Sequence, residues 1–511
     1  MLLSSCATPG DGSTGSGGST GSGGTVSSTG GSPASTGGTT GSGGTTNSGG
    51  SNGSGGAVVA GSGGGVASGS GGRPGTGGAI IGGGGAGGRV TGGASGGGGR
   101  APTGSGGSTP TGGATSSGGT TGAGGAPAPG APCGLEDCSA VACSKTFTAP
   151  TFASLKTNAK MPDPFTFLDG TKVTTRADWV CRQKEIKVLA QAFIYGPKPG
   201  KPETMTATYS GGMLTLNMGG GGRTWTLAVP IKVPSGTGPF PAMFDVDAGA
   251  PTGVASIGVG LTWLTTNVAA AGSSRGTSGK FYDFFPTSKD TGSLMAWAWV
   301  ASRIIDGLEM TQGHNIDTKK MFGLGCSRNG KTAATMGLFD DRIAMVGMQS
   351  PGSGTTSGWR IAQAQTTSVQ TASEIFGETS WMGQQFGQFG SNVNKLPIDQ
   401  HEVLALAWPR PILVREGNAD SWNCPICVWT TLKYTQMIYD ALGSKDAVGF
   451  TQYSGGHCEA GGSEWTNTYN AFLKKYILPA DSSVSTTGLF TEGKFTFDAT
   501  KWQDGALAPI P

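Results

Sequence analysis

The first 132 residues contain no Phe, Tyr or Trp, carry four charges (Asp11, Arg73, Arg89 and Arg100) and hold 53 glycines. A stretch like this cannot build a core, because Gly, Ser and Thr offer little apolar area against the entropy of ordering the backbone. Its recurring Gly-Ser-Gly-Gly and Thr-Gly-Gly units read as a disordered Gly/Ser/Thr-rich linker over residues 1–132. As a random coil it spans roughly 60 Å, enough to hold a domain clear of a surface; low-complexity drift without function is the alternative. All the aromatic residues fall in the remaining 379 of 511 residues, so the folding unit is 133–511, long enough for one large domain or two smaller ones.

At the start, Leu3-Ser4-Ser5-Cys6 has the form that ends a bacterial lipoprotein signal, with Cys6 as the lipid anchor, but without the charged and apolar regions that normally precede it. A chance match is the competing reading. No run of about 18 apolar residues occurs, which excludes a transmembrane helix. Removing the linker's three Arg and one Asp from the totals of 34 and 31 leaves 31 basic and 30 acidic residues. A balance of +1 gives no basic surface for nucleic acid. The other eight cysteines (133, 138, 143, 181, 326, 424, 427 and 458) form an even set. That count favours disulfides and an oxidising compartment, with buried thiols as the alternative.

The charged and apolar spacing predicts a helix over Arg176 to Ala192. Alternation predicts strands at Met205 to Tyr209, Met213 to Met218 and Thr224 to Lys232, separated by Gly-rich turns. Short apolar strands follow at Phe240 to Val246, Met321 to Leu324, Ile343 to Met348, Pro411 to Glu416 and Gly449 to Tyr453. Helices are expected at Leu294 to Met310 and from about Asn329. Strands alternating with helices imply a largely parallel α/β sheet covered on both faces.

Gly325-Cys326-Ser327-Arg328-Asn329-Gly330-Lys331 lies between a predicted strand and helix. A nucleophilic Ser on such an elbow needs small neighbours because the backbone is sharply bent, although here the second Gly comes one residue later than in the usual Gly-x-Ser-x-Gly. A Ser nucleophile needs a base, and the chain has three histidines: His314, His401 and His457. His457, in Gly455-Gly456-His457-Cys458 after the last predicted strand, suits the Ser, acid, His order of α/β-hydrolases. His314 and His401 read as solvated or capping. Asp420, in Glu416-Gly417-Asn418-Ala419-Asp420 after a predicted strand, stands where the carboxylate that orients the base is expected. An ordinary loop Asp in an Asx turn is the alternative.

From about Leu155 to Leu478 the chain resembles the glucuronoyl esterases of carbohydrate esterase family 15, in the strings Leu168-Asp169-Gly170-Thr171-Lys172-Val173-Thr174-Thr175, Gly279-Lys280-Phe281-Tyr282-Asp283-Phe284-Phe285, Ala296-Trp297-Ala298-Trp299, Gly325-Cys326-Ser327-Arg328-Asn329-Gly330-Lys331, Val369-Gln370-Thr371-Ala372-Ser373-Glu374-Ile375 and Gly455-Gly456-His457-Cys458. The resemblance implies an α/β-hydrolase fold, a three-layer α/β/α sandwich. It implies hydrolysis of esters between (4-O-methyl)-glucuronic acid of glucuronoxylan and lignin alcohols, with no metal or organic cofactor and a monomeric, secreted or surface-anchored enzyme. Ser327 is then the nucleophile and His457 the base, with Arg328 beside the oxyanion. Lys331, Gln370, Glu378 and Trp422 match positions that contact the sugar; judged alone, Lys331 reads as a solvated helix charge, Glu378 as a cap and Trp422 as a core aromatic.

One string departs from the family's fungal pattern. Where fungal members carry Gln-Glu-Ser-Gly with their acid, this chain has Gln349-Ser350-Pro351-Gly352, and the Ser350 hydroxyl cannot replace a charge. Asp420, followed by Ser421 and Trp422, resembles the alternative acid of bacterial members, so the expectation is a bacterial-type enzyme. The resemblance also implies disulfides Cys326–Cys458 and Cys143–Cys181, leaving Cys133 with Cys138 and Cys424 with Cys427 as local pairs. A zinc site is the competing reading of Cys424-Pro425-Ile426-Cys427, without a second pair at finger spacing. Two other functions stay open: an acetyl or feruloyl esterase, and a catalytically impaired carbohydrate-binding protein.

Overall fold

A computed structural model of the chain describes residues 134–246, 259–263, 268, 275–459, 462–478, 481, 483–491 and 495–511. The expectations for residues 1–132, Cys6 and Cys133 lie outside these residues.

Among the described residues, nine strands form one mixed sheet in the order β1-β2-β3-β5-β4-β6-β7-β8-β9. Strands β1 (Thr204–Ser210), β2 (Met213–Gly220) and β3 (Arg223–Lys232) are an antiparallel meander. Its hairpins turn on Gly211-Gly212 and Gly221-Gly222, all four at positive φ, because a two-residue loop that follows the strand twist needs φ above zero at both central positions. From β4 (Phe240–Val246) and β5 (Val259–Trp263) onward, through β6 (Ile316–Leu324), β7 (Ile343–Gln349), β8 (Ile412–Gly417) and β9 (Val448–Tyr453), neighbours run parallel. Strand β3 joins β5 antiparallel. Every residue of β7 and β8 is buried, as expected for central parallel strands covered on both faces.

The helix Ser293–Met310 buries all but its last two residues. Gly307 lets it sit close to the meander, since a Cβ there would lie 2.2 Å from Leu216 Cδ2. The architecture is the three-layer α/β/α hydrolase fold. Parallel strands order the chain so that the C-terminal ends of β6, β7, β8 and β9 share one edge, where α/β proteins bind ligands.

Most expected elements are present, with three adjustments. Strand β6 starts at Ile316, five residues before the apolar run, because its first half carries Asp317, Thr318, Lys319 and Lys320 and shows no apolar pattern. Strand β5 was not anticipated: Val259-Gly260-Leu261-Thr262-Trp263 is short and Gly-interrupted. The helix expected over Arg176 to Ala192 ends at Ala190 and continues as a wide turn, Gln191–Tyr195. No helix among the described residues is long and apolar enough to cross a membrane.

Candidate active site

Ser327 sits at the junction of β6 and the helix Arg328–Leu338, with φ 59° and ψ −127°. This conformation is strained for a residue with a Cβ and is held by its surroundings. The Ser327 N–H donates to Gln349 O at 3.0 Å, and Ser327 O accepts from the Lys331 N–H at 2.9 Å. The late second glycine now has its reason. A Cβ at Gly330 would lie 2.7 Å from Gln349 O at the end of β7, and one at Gly325 would lie 2.7 Å from the Asn329 carbonyl. Arg328 is the first residue of the helix, so its N–H is among those the helix leaves unpaired. Its side chain is exposed.

His457 follows β9 on a loop that the acid-bearing loop grips through the backbone. Asn418 N–H donates to Tyr453 O at 2.9 Å and Ala419 N–H to Gly455 O at 2.9 Å. Gly417 has no room for a side chain, as a Cβ would lie 2.3 Å from Gly456 O. From below, Arg415 Nη1 and Gln349 Nε2 both donate to Glu459 O, at 2.6 and 3.1 Å. The result is a contact of 2.6 Å between His457 Nδ1 and Asp420 Oδ2, the carboxylate nearly buried and the imidazole side chain 44% exposed. The Cys326–Cys458 disulfide holds the residues next to Ser327 and His457 with their Cα atoms 5.9 Å apart. Among the described residues no direct Ser327–His457 hydrogen bond forms; in ligand-free sites such bonds are often long.

Ser350, where the fungal acid would stand, adopts φ 41°. Its Oγ accepts from the Cys458 N–H at 3.4 Å and its carbonyl from Asn423 Nδ2 at 2.9 Å. It supports the His loop and carries no charge to the ring.

Beside the Asp420–His457 pair lies a buried polar layer. Lys331 is 3% exposed, donates to the Pro351 carbonyl and lies 5.1 Å from the Trp381 ring centre. Burial lowers its ammonium to about 8, with the neighbouring Glu416 and Asp420 carboxyls opposing the shift. Reading Lys331 as a solvated charge therefore fails. Asn423 Nδ2 lies 3.4 Å from Glu416 Oε1 and 3.4 Å from His457 Nδ1. Sequence reasoning missed both Asn423 and Trp381, since nothing in their local strings marks them.

Gln370, Glu378 and Trp422 come together at the rim. Gln370 N–H donates to Trp422 O at 3.0 Å, and Gln370 Nε2 donates to Glu378 Oε2 at 3.4 Å. Glu378 is the exposed last residue of the helix Ala372–Glu378, so it does not cap the helix start. Trp422 is 37% exposed, which corrects its reading as a core aromatic.

The other two histidines are buried rather than solvated. His314 caps the helix Ser293–Met310: Nε2 contacts Leu308 O and Thr311 O at 3.0 and 3.1 Å. His401 is 1% exposed, with Nε2 2.9 Å from Pro162 O; burial lowers it to about 4. Cys143–Cys181 and Cys424–Cys427 are disulfides with Cα separations of 5.1 and 5.2 Å. The second bond removes the thiolates that a zinc site at this pair requires.

An elbow Ser, a carboxylate-paired His and this strand order define a serine hydrolase of the α/β-hydrolase class. Comparison with known proteins narrows it further. A family model described as glucuronyl esterase, fungi, matches residues 216–443. The 4-O-methyl-glucuronoyl methylesterase of Hypocrea jecorina is 38% identical over 363 residues, 70% of this chain and 77% of that protein. The glucuronoyl esterase catalytic domain solved from the same organism superposes with a TM-score of 0.67 at 36% identity, covering 71% of this chain and 100% of that one. A Ser-to-Ala mutant of the Sporotrichum thermophile enzyme, solved with methyl 4-O-methyl-β-D-glucopyranuronate, gives 0.65 at 33% identity, covering 70% and 97%. The chain belongs to the glucuronoyl esterase family, carbohydrate esterase family 15. These relatives are fungal, so the bacterial qualifier has no support from them.

Proposed function

We propose that the protein hydrolyses esters of (4-O-methyl)-glucuronic acid on glucuronoxylan, including those with lignin alcohols. Ser327 Oγ attacks the ester carbonyl while His457 Nε2 takes its proton, and Asp420 holds the Nδ1–H tautomer and balances the imidazolium. The oxyanion meets the Arg328 N–H and guanidinium. Collapse expels the alcohol with a proton from His457. Water, deprotonated by the same ring, then releases glucuronic acid from Ser327. Gln370, Glu378, Trp422 and Lys331 bind the sugar. The Asp420–His457 contact beside the disulfide-joined elbow carries this reading, with the acid on the β8 loop. It also weighs against an impaired enzyme, because a charge reaches the imidazole although Ser350 supplies none.

Residues 1–132 act as a spacer ahead of a monomeric catalytic unit, and Cys6 is the site for a lipid anchor. The disulfides fit an oxidising compartment. Hydrolysis of benzyl glucuronate by the purified protein, lost in Ser327→Ala, tests the reading. No turnover of that ester combined with turnover of acetylated xylan or feruloyl esters would replace it with an acetyl or feruloyl esterase.

A further inference from the structure

Glu416 has no task in this mechanism, yet it lies against it. It is the penultimate residue of β8 and is wholly buried. Asn423 Nδ2 reaches its Oε1 at 3.4 Å, while Oε2 is buried with no conventional donor among the described residues. Asp420 meets the same asparagine, its Oδ1 accepting from the Asn423 N–H at 3.4 Å, and its charge acts on the Glu416 carboxyl.

The charged and titratable groups around it come from three elements. Lys331, on the elbow helix, gives its hydrogen bond to Pro351 O instead. Asp420 is on the β8 loop, and His457 is linked through the Asn423 amide. Arg415, the preceding residue on β8, turns its guanidinium to Glu459 O and the Tyr453 ring.

An ionised carboxylate offers about four acceptor sites. Ionised Glu416 would have one long amide bond and a second carboxylate facing it. Adjacent buried carboxylates do not both keep a charge. A proton on Glu416 removes both problems, since it gives Oε2 a bond to make and gives Asp420 a donor.

We propose that Glu416 is a protonated carboxylic acid at neutral pH, donating its O–H to Asp420, and that with Asn423 it is a positioning residue that aims the Asp420 carboxylate at His457 Nδ1. This rests on Asp420 being the triad acid. Burial, with the neighbouring Asp420 charge adding to it, raises the Glu416 carboxyl well above the ordinary range, in agreement. The donated hydrogen bond draws charge from Asp420. Without it the imidazolium is better stabilised, and the acidic limb of the pH–activity profile moves to higher pH.

The test uses the full chain. Glu416→Leu removes the donor, whereas Glu416→Gln keeps a neutral one of the same length. Leu should lose about tenfold in turnover, the scale of one hydrogen bond to a charged group, and shift the acidic limb upward. Gln should recover most of that loss and hold the limb in place. Infrared difference spectra of the wild type against Glu416→Gln at pH 7 should show a protonated carboxylic acid band lost in the variant. Glu402, whose burial also raises its carboxyl, to about 7, is present in both proteins and cancels. Absence of the band overturns the proposal, as does a Leu variant with an unmoved limb or a Gln variant as impaired as Leu. If Leu does not fold, the infrared comparison decides. A missing band with Asp420→Asn still inactive sinks this inference alone, whereas normal turnover in Asp420→Asn sinks the triad assignment beneath it.

Discussion

Replacing Asp420 by Asn removes one charge and little volume, so it isolates the electrostatic part of the triad. When His457 takes the Ser327 proton, its imidazolium faces a carboxylate oxygen 2.6 Å from Nδ1, which places the charge centres about 4 Å apart. At an effective dielectric constant of about 20 that attraction is about 4 kcal/mol, or roughly three decades in rate. Two features move the estimate in opposite directions. The ring is 44% exposed, so water screens part of the loss. The new amide can present an N–H to His457 Nδ1, where Asn423 Nδ2 already stands at 3.4 Å, and favour the wrong tautomer, which raises the loss toward about 10⁴. Stopped assays of benzyl glucuronate hydrolysis, with circular dichroism to check the fold, should therefore show a drop of about 10³ in turnover. Ser350→Ala, measured alongside, should lose less than about threefold, because its Oγ only accepts one 3.4 Å bond from Cys458. Near-normal turnover in Asp420→Asn, or an equal loss in Ser350→Ala, would refute the reasoning.

Lys331 should bind the sugar as an ammonium only below about pH 8. The ratio of wild-type to Lys331→Met kcat/KM should be largest at pH 6–7 and shrink as pH rises through that value; a ratio constant to pH 10 would show that the charge is not used. Replacing Cys326 and Cys458 together by Ala opens a covalent loop of sequence separation 132, with an expected loss of up to about 5 kcal/mol in urea unfolding and a lower turnover as the elbow and His loop drift. Unchanged unfolding would indicate that the loops are held by their backbone contacts alone. A chain beginning at Cys133 should keep its rate on a soluble ester, and a large loss would place residues 1–132 in the active unit.

Much of the site is legible in one dimension because its chemistry is local. The elbow needs Gly325, Ser327 and Gly330 within six residues, and the base follows a strand whose apolar run is plain. The meander is legible through its double glycines. What stays hidden depends on neighbours far apart in sequence. Trp422 reads as core until the loop exposes it, and Lys331 reads as solvated until the Pro351 loop covers it. Asn423 gains meaning only when β7, β8 and the His loop converge on its amide. Strand β5 is set by pairing with β4, and the first half of β6 meets β4 only at Ile316, opposite Phe240; no alternation marks either.

The Cys326–Cys458 bond also changes what a protease can achieve. Ser327, Asp420 and His457 all lie between these two cysteines, so a single cut at any exposed loop from 328 to 456 leaves two polypeptides that remain one molecule. The nicked enzyme would run as two fragments only after reduction. One cleavage between these cysteines therefore does not release the Ser327 turn from the His457 loop.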